Sequence, residues 1–305
     1  MAAANRMRLK RRSLVVQRLT LGVLIGACFA SVRQTQAQDS AVDYVNQGMK
    51  WDKKGEYDQA IAQYDQAIRL DPAYALAYKN RGLAWYEKQQ YDRAIADYDQ
   101  AIRFDPNYAL AYNSRGIAWD EKQDYDRAVA DYDQAIRLDP NDARPYYNRG
   151  TAWQNKGEYD KAIADYDQAI KLAPSAAAYT NRGFAWSNKK QYDRAVADYD
   201  QAIRLDPTVA AYNSLAWLQA TCPDARFRDG QKAFENASQA YQLSGGTMVG
   251  AIDTLAAAYA ENGDFEQARR WQAKAIELST NNKEKEEYRS RLRLYEQGKP
   301  YRQKP

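Results

Sequence analysis

The sequence contains no histidine and only two cysteines, Cys28 and Cys222. The absence of histidine excludes imidazole acid–base catalysis, the Ser-His-Asp and Cys-His arrangements and most zinc sites. There is also no phosphate-binding loop and no zinc-ligand spacing, so we expect no cofactor and no metal. Cys222 is predicted to be a small buried apolar residue, because a catalytic thiol needs a nearby base. These absences predict a protein that is not an enzyme.

The positive charge is concentrated at one end. The formal net charge of the 305 residues is +4, but residues 1–37 carry seven Lys or Arg and no acidic residue. The rest of the chain has 37 basic and 40 acidic residues, a net charge of −3. A nucleic-acid-binding protein should carry a basic surface on its folded part. We therefore expect no nucleic-acid partner.

The N-terminus has the organisation of a secretory signal. Met1–Arg18 is basic, and Leu19–Val32 is an uncharged, mostly apolar run of 14 residues. That run is shorter than the roughly 20 residues that a membrane-spanning helix needs. Thr35 and Ala37 supply small residues at −3 and −1 for cleavage before Gln38. Residues 1–37 are predicted to be a signal peptide, with export to the periplasm or the medium.

Two alternatives to this signal peptide stay open. Ile25–Cys28 (IGAC) resembles a bacterial lipobox, in which Cys28 would be lipidated and become the mature N-terminus. The run could also be an uncleaved anchor or a chance apolar stretch. In each case the expected membrane association depends only on this N-terminal signal or lipid.

A 34-residue unit is repeated along the chain, as residues 75–108 and 109–142 show most clearly. Within a unit, position 4 is Tyr, 8 is Gly, 11 is Trp, 17 is Tyr, and 20, 24 and 27 are Ala, Tyr and Ala. In the second unit these are Tyr78, Gly82, Trp85, Tyr91, Ala94, Tyr98 and Ala101. Spacings of three and four residues indicate one face of an α-helix, so each unit is predicted to be two amphipathic helices.

The small and large residues of the unit have different predicted roles. The Gly and Ala positions allow helices to approach closely, and the Tyr and Trp side chains fill the space between them. Pro at position 32 marks the turn before the next unit, since it cannot lie inside a helix. Replacing Gly116 with a large side chain is expected to overpack this contact, at about 1–3 kcal/mol.

This pattern resembles the tetratricopeptide repeat. The resemblance implies an all-α fold, a right-handed α-solenoid of about seven helix pairs with a C-terminal capping helix. The predicted array covers 38–282, and 283–305 is a capping helix with a basic tail. The units are 41–74, 75–108, 109–142, 143–175, 176–208, a degenerate 209–248, and 249–282. In the last helix we expect Tyr288, Leu292 and Tyr295 to share the packed face.

The resemblance also implies a binding groove, lined by positions 2, 5, 6, 9, 12 and 13 of the first helices. Position 6 is Asn46, Asn80, Ser114, Asn148 and Asn181. This ladder is similar to the one in O-linked N-acetylglucosamine transferases, where amides bind the backbone of an extended peptide. An amide has donors and acceptors for any peptide unit. Lys79, Tyr86, Tyr147 and Phe184 are the neighbouring candidates; gene duplication alone would also produce such a ladder.

Two further features of the repeat bear on its function. The carboxylate clamp of chaperone-binding relatives needs Asn at position 9, where Leu83 stands, so that clamp is not expected. The motif Asp-Tyr-Asp-Gln recurs on every second helix from the second unit onwards, and is predicted to lie on a solvated face. The Arg at position 7 is expected to place its head in solvent or near an Asp of a neighbouring helix.

These observations predict a non-catalytic scaffold that binds a peptide segment or a partner protein in the groove, in the bacterial cell envelope. The alternative is an accessory or docking subunit of an envelope enzyme, secretion or assembly complex. Only about 20 residues follow Asn282, too few for a catalytic domain outside the repeats.

Overall fold

The computed structural model describes residues 40–303, so the predicted signal peptide and Cys28 lie outside the described residues. The described part forms two compact bodies that divide between Asp124 and Tyr125. The N-terminal body contains five α-helices. These are α1 (described from 40 to 52), α2 (Tyr57–Leu70), α3 (Ala75–Glu87), α4 (Tyr91–Phe104) and α5 (Ala109–Glu121).

The C-terminal body contains the other ten α-helices of the described chain, and no strand occurs between residues 40 and 303. They are α6 (Tyr125–Leu138), α7 (Ala143–Asn155), α8 (Tyr159–Leu172), α9 (Ala176–Asn188), α10 (Tyr192–Leu205), α11 (Val209–Thr221), α12 (Gly230–Leu243), α13 (Val249–Glu261), α14 (Phe265–Leu278) and α15 (Asn282–Glu296). A short 3-10 helix, Ala225–Phe227, lies in the long connection between α11 and α12. Within each body consecutive helices pack against one another. The predicted all-α class of successive helix pairs followed by a last helix is confirmed.

Two kinds of turn set the length of each pair. Between the helices of a pair, one residue adopts the left-handed backbone conformation, such as Gly157 at φ +77° or Gln89 at φ +58°. That conformation closes a helix C-terminus and reverses the chain within a few residues. Between pairs, Pro72 follows the Asp71 that caps α2 and prevents the helix from continuing.

The close approach of the two helices in a pair depends on glycine facing tyrosine. Tyr64, Tyr98 and Tyr166 are fully buried. A Cβ placed on Gly82 would stand 2.7 Å from Cε1 of Tyr98, well inside van der Waals contact. The prediction that glycine allows the two helices to approach closely, and that tyrosine fills the space between them, is confirmed.

The prediction of a solvated face for the Asp-Tyr-Asp-Gln motif is wrong for its first residue. That residue is buried, at 6% exposure, in every copy: Asp97, Asp131, Asp165 and Asp198. Residues i and i+2 of a helix point in different directions, so the first carboxylate faces the paired helix while the second, such as Asp133, is directed towards the following pair. A buried carboxylate needs a partner, and the position-7 arginine supplies it.

Arg149 shows how this partnership links three helices. Its Nε and Nη2 donate to the two oxygens of Asp165 at 2.8 and 2.6 Å, and its Nη1 bonds Asp133 of the preceding pair. Arg182 makes the same three contacts, with Asp198 and with Asp167. The expected placement of the arginine head near an Asp of a neighbouring helix is confirmed.

The last helix, α15, packs on α14 and ends the C-terminal body. Tyr288 and Tyr295 are buried as predicted, and Leu292 is half-buried. Arg291 is also buried, at 8% exposure, although the sequence pattern placed the charged residues of this helix elsewhere. Burial of Arg291 follows from its ion pair with Asp253 of α13.

Candidate peptide-binding surface

The amides of the predicted ladder differ in accessibility within the N-terminal body. Asn46 on α1 is exposed, whereas Asn80 on α3 is buried at 5% exposure. The Nζ of Lys79 donates to Oδ1 of Asn80 at 3.3 Å. The Nδ2 of Asn80 is buried and has no hydrogen-bond partner among residues 40–303. Asn46 is therefore the ladder amide of this body that a ligand reaches directly.

The other predicted residues of the N-terminal body contact their own fold. Ser114 is half-buried and lies within hydrogen-bonding reach of the Tyr98 hydroxyl. The hydroxyl of Tyr86 donates to Glu121 at 3.0 Å, which joins α3 to α5. The hydroxyl groups of Ser114 and Tyr86, which the sequence predicted to contact a ligand, therefore form hydrogen bonds within the fold.

In the C-terminal body the structure brings two predicted residues together. The Nδ2 of Asn181 donates to the hydroxyl of Tyr147 at 3.0 Å, across two successive first helices. The ring of Tyr147 lies 5.9 Å from that of buried Tyr166, and burial raises the pKa of the Tyr147 hydroxyl. Asn148 is half-buried beside them. Asn181 therefore positions the hydroxyl of Tyr147.

Further along the same body lies a cavity of about 610 Å³. Its walls come from the first helices α9, α11 and α13, from the second helix α10 and from the capping helix α15. The amide and hydroxyl side chains in its lining are Ser187, Asn188, Asn213, Ser214 and Thr254, and the aromatic ones are Phe184, Tyr192, Tyr199, Trp217 and Tyr288. Its size and mixed lining fit the usual properties of a ligand pocket.

Of these lining residues, the sequence predicted a ligand-binding role only for Phe184. Asn213, Ser214 and Trp217 occupy positions 5, 6 and 9 of the degenerate sixth unit, the positions that line the groove in the family. The positional rule would have found them if it had been extended to that unit. The contributions of α15 follow from its packing and have no signal in the repeat.

An ion pair forms the base of the cavity. The Nε of Arg291 donates to Oδ1 of Asp253 at 2.9 Å, and Nε2 of Gln272 donates to the same oxygen at 2.8 Å. Burial raises the pKa of Asp253, while Arg291 and Gln272 oppose that effect. The guanidinium carbon of Arg291 lies 5.3 Å from the Trp217 ring and 5.1 Å from the Tyr288 ring. The charges at the base of the cavity are therefore paired with each other.

The C-terminal tail closes one end of the cavity. The backbone N–H of Gln303 donates to the carbonyl of Thr221 at 2.9 Å, and Gln303 lines the cavity. Tyr301 packs 5.8 Å from Trp217, and Nη2 of Arg302 pairs with Glu261 at 2.5 Å. The tail is therefore part of the structure that forms this surface.

Reactive groups are scarce in the described part of the chain. Cys222 is fully buried, as predicted, and burial raises the pKa of its thiol. Residues 40–303 contain no group of three or more Asp, Glu or Cys placed to hold a metal ion. No helix in this range is both long and apolar enough to span a bilayer.

Comparison with known families identifies the repeat. Four tetratricopeptide repeat family models match the chain, at residues 53–89 and 82–119, 115–180, 176–209 and 249–281. The fold described above consists of the corresponding helix pairs. The chain is a tetratricopeptide repeat protein, and its fold supports a role as a protein-interaction scaffold.

Solved structures agree with this family. A crystal structure of the MamA protein is 27% identical with a TM-score of 0.50, and the match covers 55% of this chain and 92% of MamA. Yeast Tom70 is 20% identical with a TM-score of 0.55, covering 86% of this chain and 55% of Tom70. The APC/C hetero-tetramer Cut9-Hcn1 is 19% identical with a TM-score of 0.62, and the match covers 75% of this chain and 45% of that one. The latter two show the fold alone. No curated protein sequence matches the chain.

Proposed function

We propose that this protein is a non-catalytic scaffold of the bacterial cell envelope, which binds a peptide segment or a partner protein on the surface formed by its first helices. The observation that carries the proposal is the cavity of about 610 Å³ between α9, α11, α13 and α15. Amide and hydroxyl groups there can pair with peptide N–H and C=O groups, and the aromatic rings can bury side chains. Tetratricopeptide repeats provide the matching fold.

Crosslinking from the cavity tests this proposal. A photoreactive phenylalanine analogue replaces Phe184, which lines the cavity and is 44% exposed. The control carries the same analogue at Glu235, an exposed position on the second helix α12. We expect one discrete adduct in intact cells from position 184 and none from position 235. Equal labelling from both positions, or none from 184, would contradict binding at this surface.

The asparagine ladder is a separate part of the proposal. Asn46 is its exposed member in the N-terminal body, and Gln47 is an exposed amide next to it on α1. If the ladder binds a peptide backbone, Asn46→Ala should weaken partner capture whereas Gln47→Ala should not. Both variants should keep the wild-type helicity and melting temperature, because neither side chain is buried. Undiminished capture by Asn46→Ala would contradict a ligand role for this amide.

The envelope location is also a proposal, supported by the basic and apolar pattern of residues 1–32. The mass of the mature protein from the native host distinguishes the alternatives. A chain that begins at Gln38 indicates cleavage of a signal peptide, and a lipid-modified chain that begins at Cys28 indicates a membrane tether. An unprocessed chain recovered from the cytoplasm would contradict export.

A further inference from the structure

We infer that the cavity of the C-terminal body receives a cationic side chain, Lys or Arg, of the bound peptide. The inference rests on the proposed function and specifies the chemistry of the ligand at this one surface. The hydrogen-bonding and charge balance of the lining carry the argument, together with the exposed aromatic ring of Phe184.

One buried acceptor without a donor points to a ligand that brings an N–H group. The Oδ1 of Asn213 is buried in the cavity lining and has no hydrogen-bond partner among residues 40–303. Burying an acceptor without a donor is unfavourable. A ligand that donates a hydrogen bond to Asn213 would recover this free energy, whereas a carboxylate would not.

The charges of the lining favour the same ligand. The carboxylates are Asp253, Glu284 and Glu287, and the cations are Lys190 and Arg291. Arg291 and Asp253 neutralise each other at the base. Glu284 and Glu287, the exposed carboxylates of α15, then outnumber the one remaining cation of the lining, Lys190. Glu284 accepts a hydrogen bond from Ser279, whereas Glu287 makes no hydrogen bond or ion pair with any residue from 40 to 303. An incoming cation would therefore be attracted to the α15 wall.

The ring of Phe184 is placed to accept the stem and the charge of such a side chain. Trp217 and Tyr288 already flank the guanidinium of Arg291, at 5.3 and 5.1 Å, so these two rings are occupied. Phe184 lines the same cavity and is 44% exposed. Lys and Arg stems pack on apolar surface, and a cation is attracted to the face of an aromatic ring. Phe184 therefore offers the aromatic contact that such a side chain requires.

The test uses the purified full chain and random nonapeptides displayed on phage. We expect the selected peptides to be enriched in Lys or Arg at one position. In fluorescence polarisation, replacing that Lys with norleucine, or Arg with citrulline, should weaken binding. Glu287→Gln should weaken binding of the cationic peptide about three- to tenfold, as expected for one partly exposed ion pair.

Two further variants sharpen the comparison. Glu286→Gln removes the same charge from the same helix, but Glu286 pairs with Arg289 and does not line the cavity, so affinity should stay unchanged. Lys190→Gln should strengthen binding of the cationic peptide. Gln is compatible with the backbone there, because Gln89 and Gln123 adopt the same φ of about +60° at the equivalent turns.

The outcomes separate this inference from the proposed function. Selected peptides without a cationic preference, or an equal loss in Glu286→Gln and Glu287→Gln, overturn the cationic pocket and leave peptide binding intact. Enrichment of Asp or Glu also overturns it. If no peptide is selected and position 184 gives no crosslinked adduct, the proposed function fails as well.

Discussion

Arg81 binds Asp97 through two parallel hydrogen bonds, from Nε to Oδ2 at 2.8 Å and from Nη2 to Oδ1 at 2.6 Å. The remaining donor group, Nη1, bonds Oδ1 of Asp65 at 2.5 Å. A single guanidinium on α3 thereby joins α4 of its own pair to α2 of the preceding pair. Because Asp97 is buried, this contact fixes both the packing within a pair and the packing between pairs.

The first prediction concerns removal of this arginine. Arg81→Met should destabilise the protein by about 2–4 kcal/mol, because it leaves the buried carboxylate of Asp97 without its counter-charge. Urea unfolding followed by circular dichroism measures the change. Arg69→Met, on an exposed arginine of α2, should change stability by less than about 0.5 kcal/mol. The double variant Arg81→Met with Asp97→Leu should recover part of the loss; a double variant as unstable as the sum of the single ones would contradict this account.

The second prediction is that an exposed lysine–aspartate ion pair contributes little to the unfolding free energy. Lys88 pairs with Asp58, and Lys122, Lys156 and Lys189 form the corresponding pairs at later turns. Asp58 is 78% exposed, so water and salt screen the interaction. Lys88→Met should therefore change the unfolding free energy by less than about 1 kcal/mol. A loss as large as that of Arg81→Met would show that exposure does not separate the two kinds of ion pair.

The third prediction concerns the glycine contact. Gly82→Ala places a Cβ 2.7 Å from Cε1 of Tyr98 and 3.1 Å from the carbonyl oxygen of Ala94. Overpacking of this kind costs about 1–3 kcal/mol, which the better helix propensity of Ala, up to about 1 kcal/mol, only partly offsets. We expect a net loss of about 1–2 kcal/mol in thermal or urea unfolding.

The matched control for this substitution is Gly250→Ala. A Cβ at Gly250 meets only Cε of Met248, at 3.6 Å. The helix propensity of Ala should then leave stability unchanged or raise it by up to about 1 kcal/mol. Equal destabilisation by both substitutions would mean that contact with Tyr98 is not the cause.

The fourth prediction is a loss of stability at high pH. Burial raises the pKa of the hydroxyls of Tyr64, Tyr98, Tyr166 and Tyr199, and that of Tyr288 to about 12. Tyrosines of the unfolded chain titrate near pH 10, so above this pH the unfolded state loses protons that the folded state retains. The stabilisation is complete below about pH 10 and is lost as the pH rises towards 12 and above.

Urea midpoints at pH 8, 10, 11 and 12, with tyrosinate absorbance at 295 nm, measure this loss. Tyr98→Phe removes one titrating group while keeping the ring, so its stability should fall less steeply above pH 10. A stability that stays constant from pH 8 to pH 12 would contradict the raised pKa values.

The periodic residues made the helices predictable. Gly82, Trp85 and Tyr98 recur at helical spacing in successive units, and the structure places the glycine against the tyrosine. The burial of Asp97 could not be predicted from the spacing of its motif alone. Residues i and i+2 must point apart, but only the neighbouring helix decides which carboxylate is buried. A usable signal was the constant separation of 16 residues between Arg81 and Asp97, and it repeats between Arg149 and Asp165.

The candidate site was less predictable than the fold. The ladder residues occupy the same position of successive first helices, yet Asn46 is exposed, Asn80 is buried and Asn181 donates to Tyr147. These differences arise from contacts with side chains that vary between units. Identical residues at identical positions therefore differ in their access to a ligand.

By itself, the sequence determined that this chain forms stacked helix pairs, because a repeated apolar pattern at helical spacing can be buried only against its neighbours. It also determined where one pair ends and the next begins, through the proline at position 32 of each unit. The tertiary structure alone decided where a cavity opens. Asn213 of α11, Asp253 of α13 and Glu287 of α15 are far apart along the chain, and they share one recess because α15 packs on α14 and Arg291 reaches Asp253.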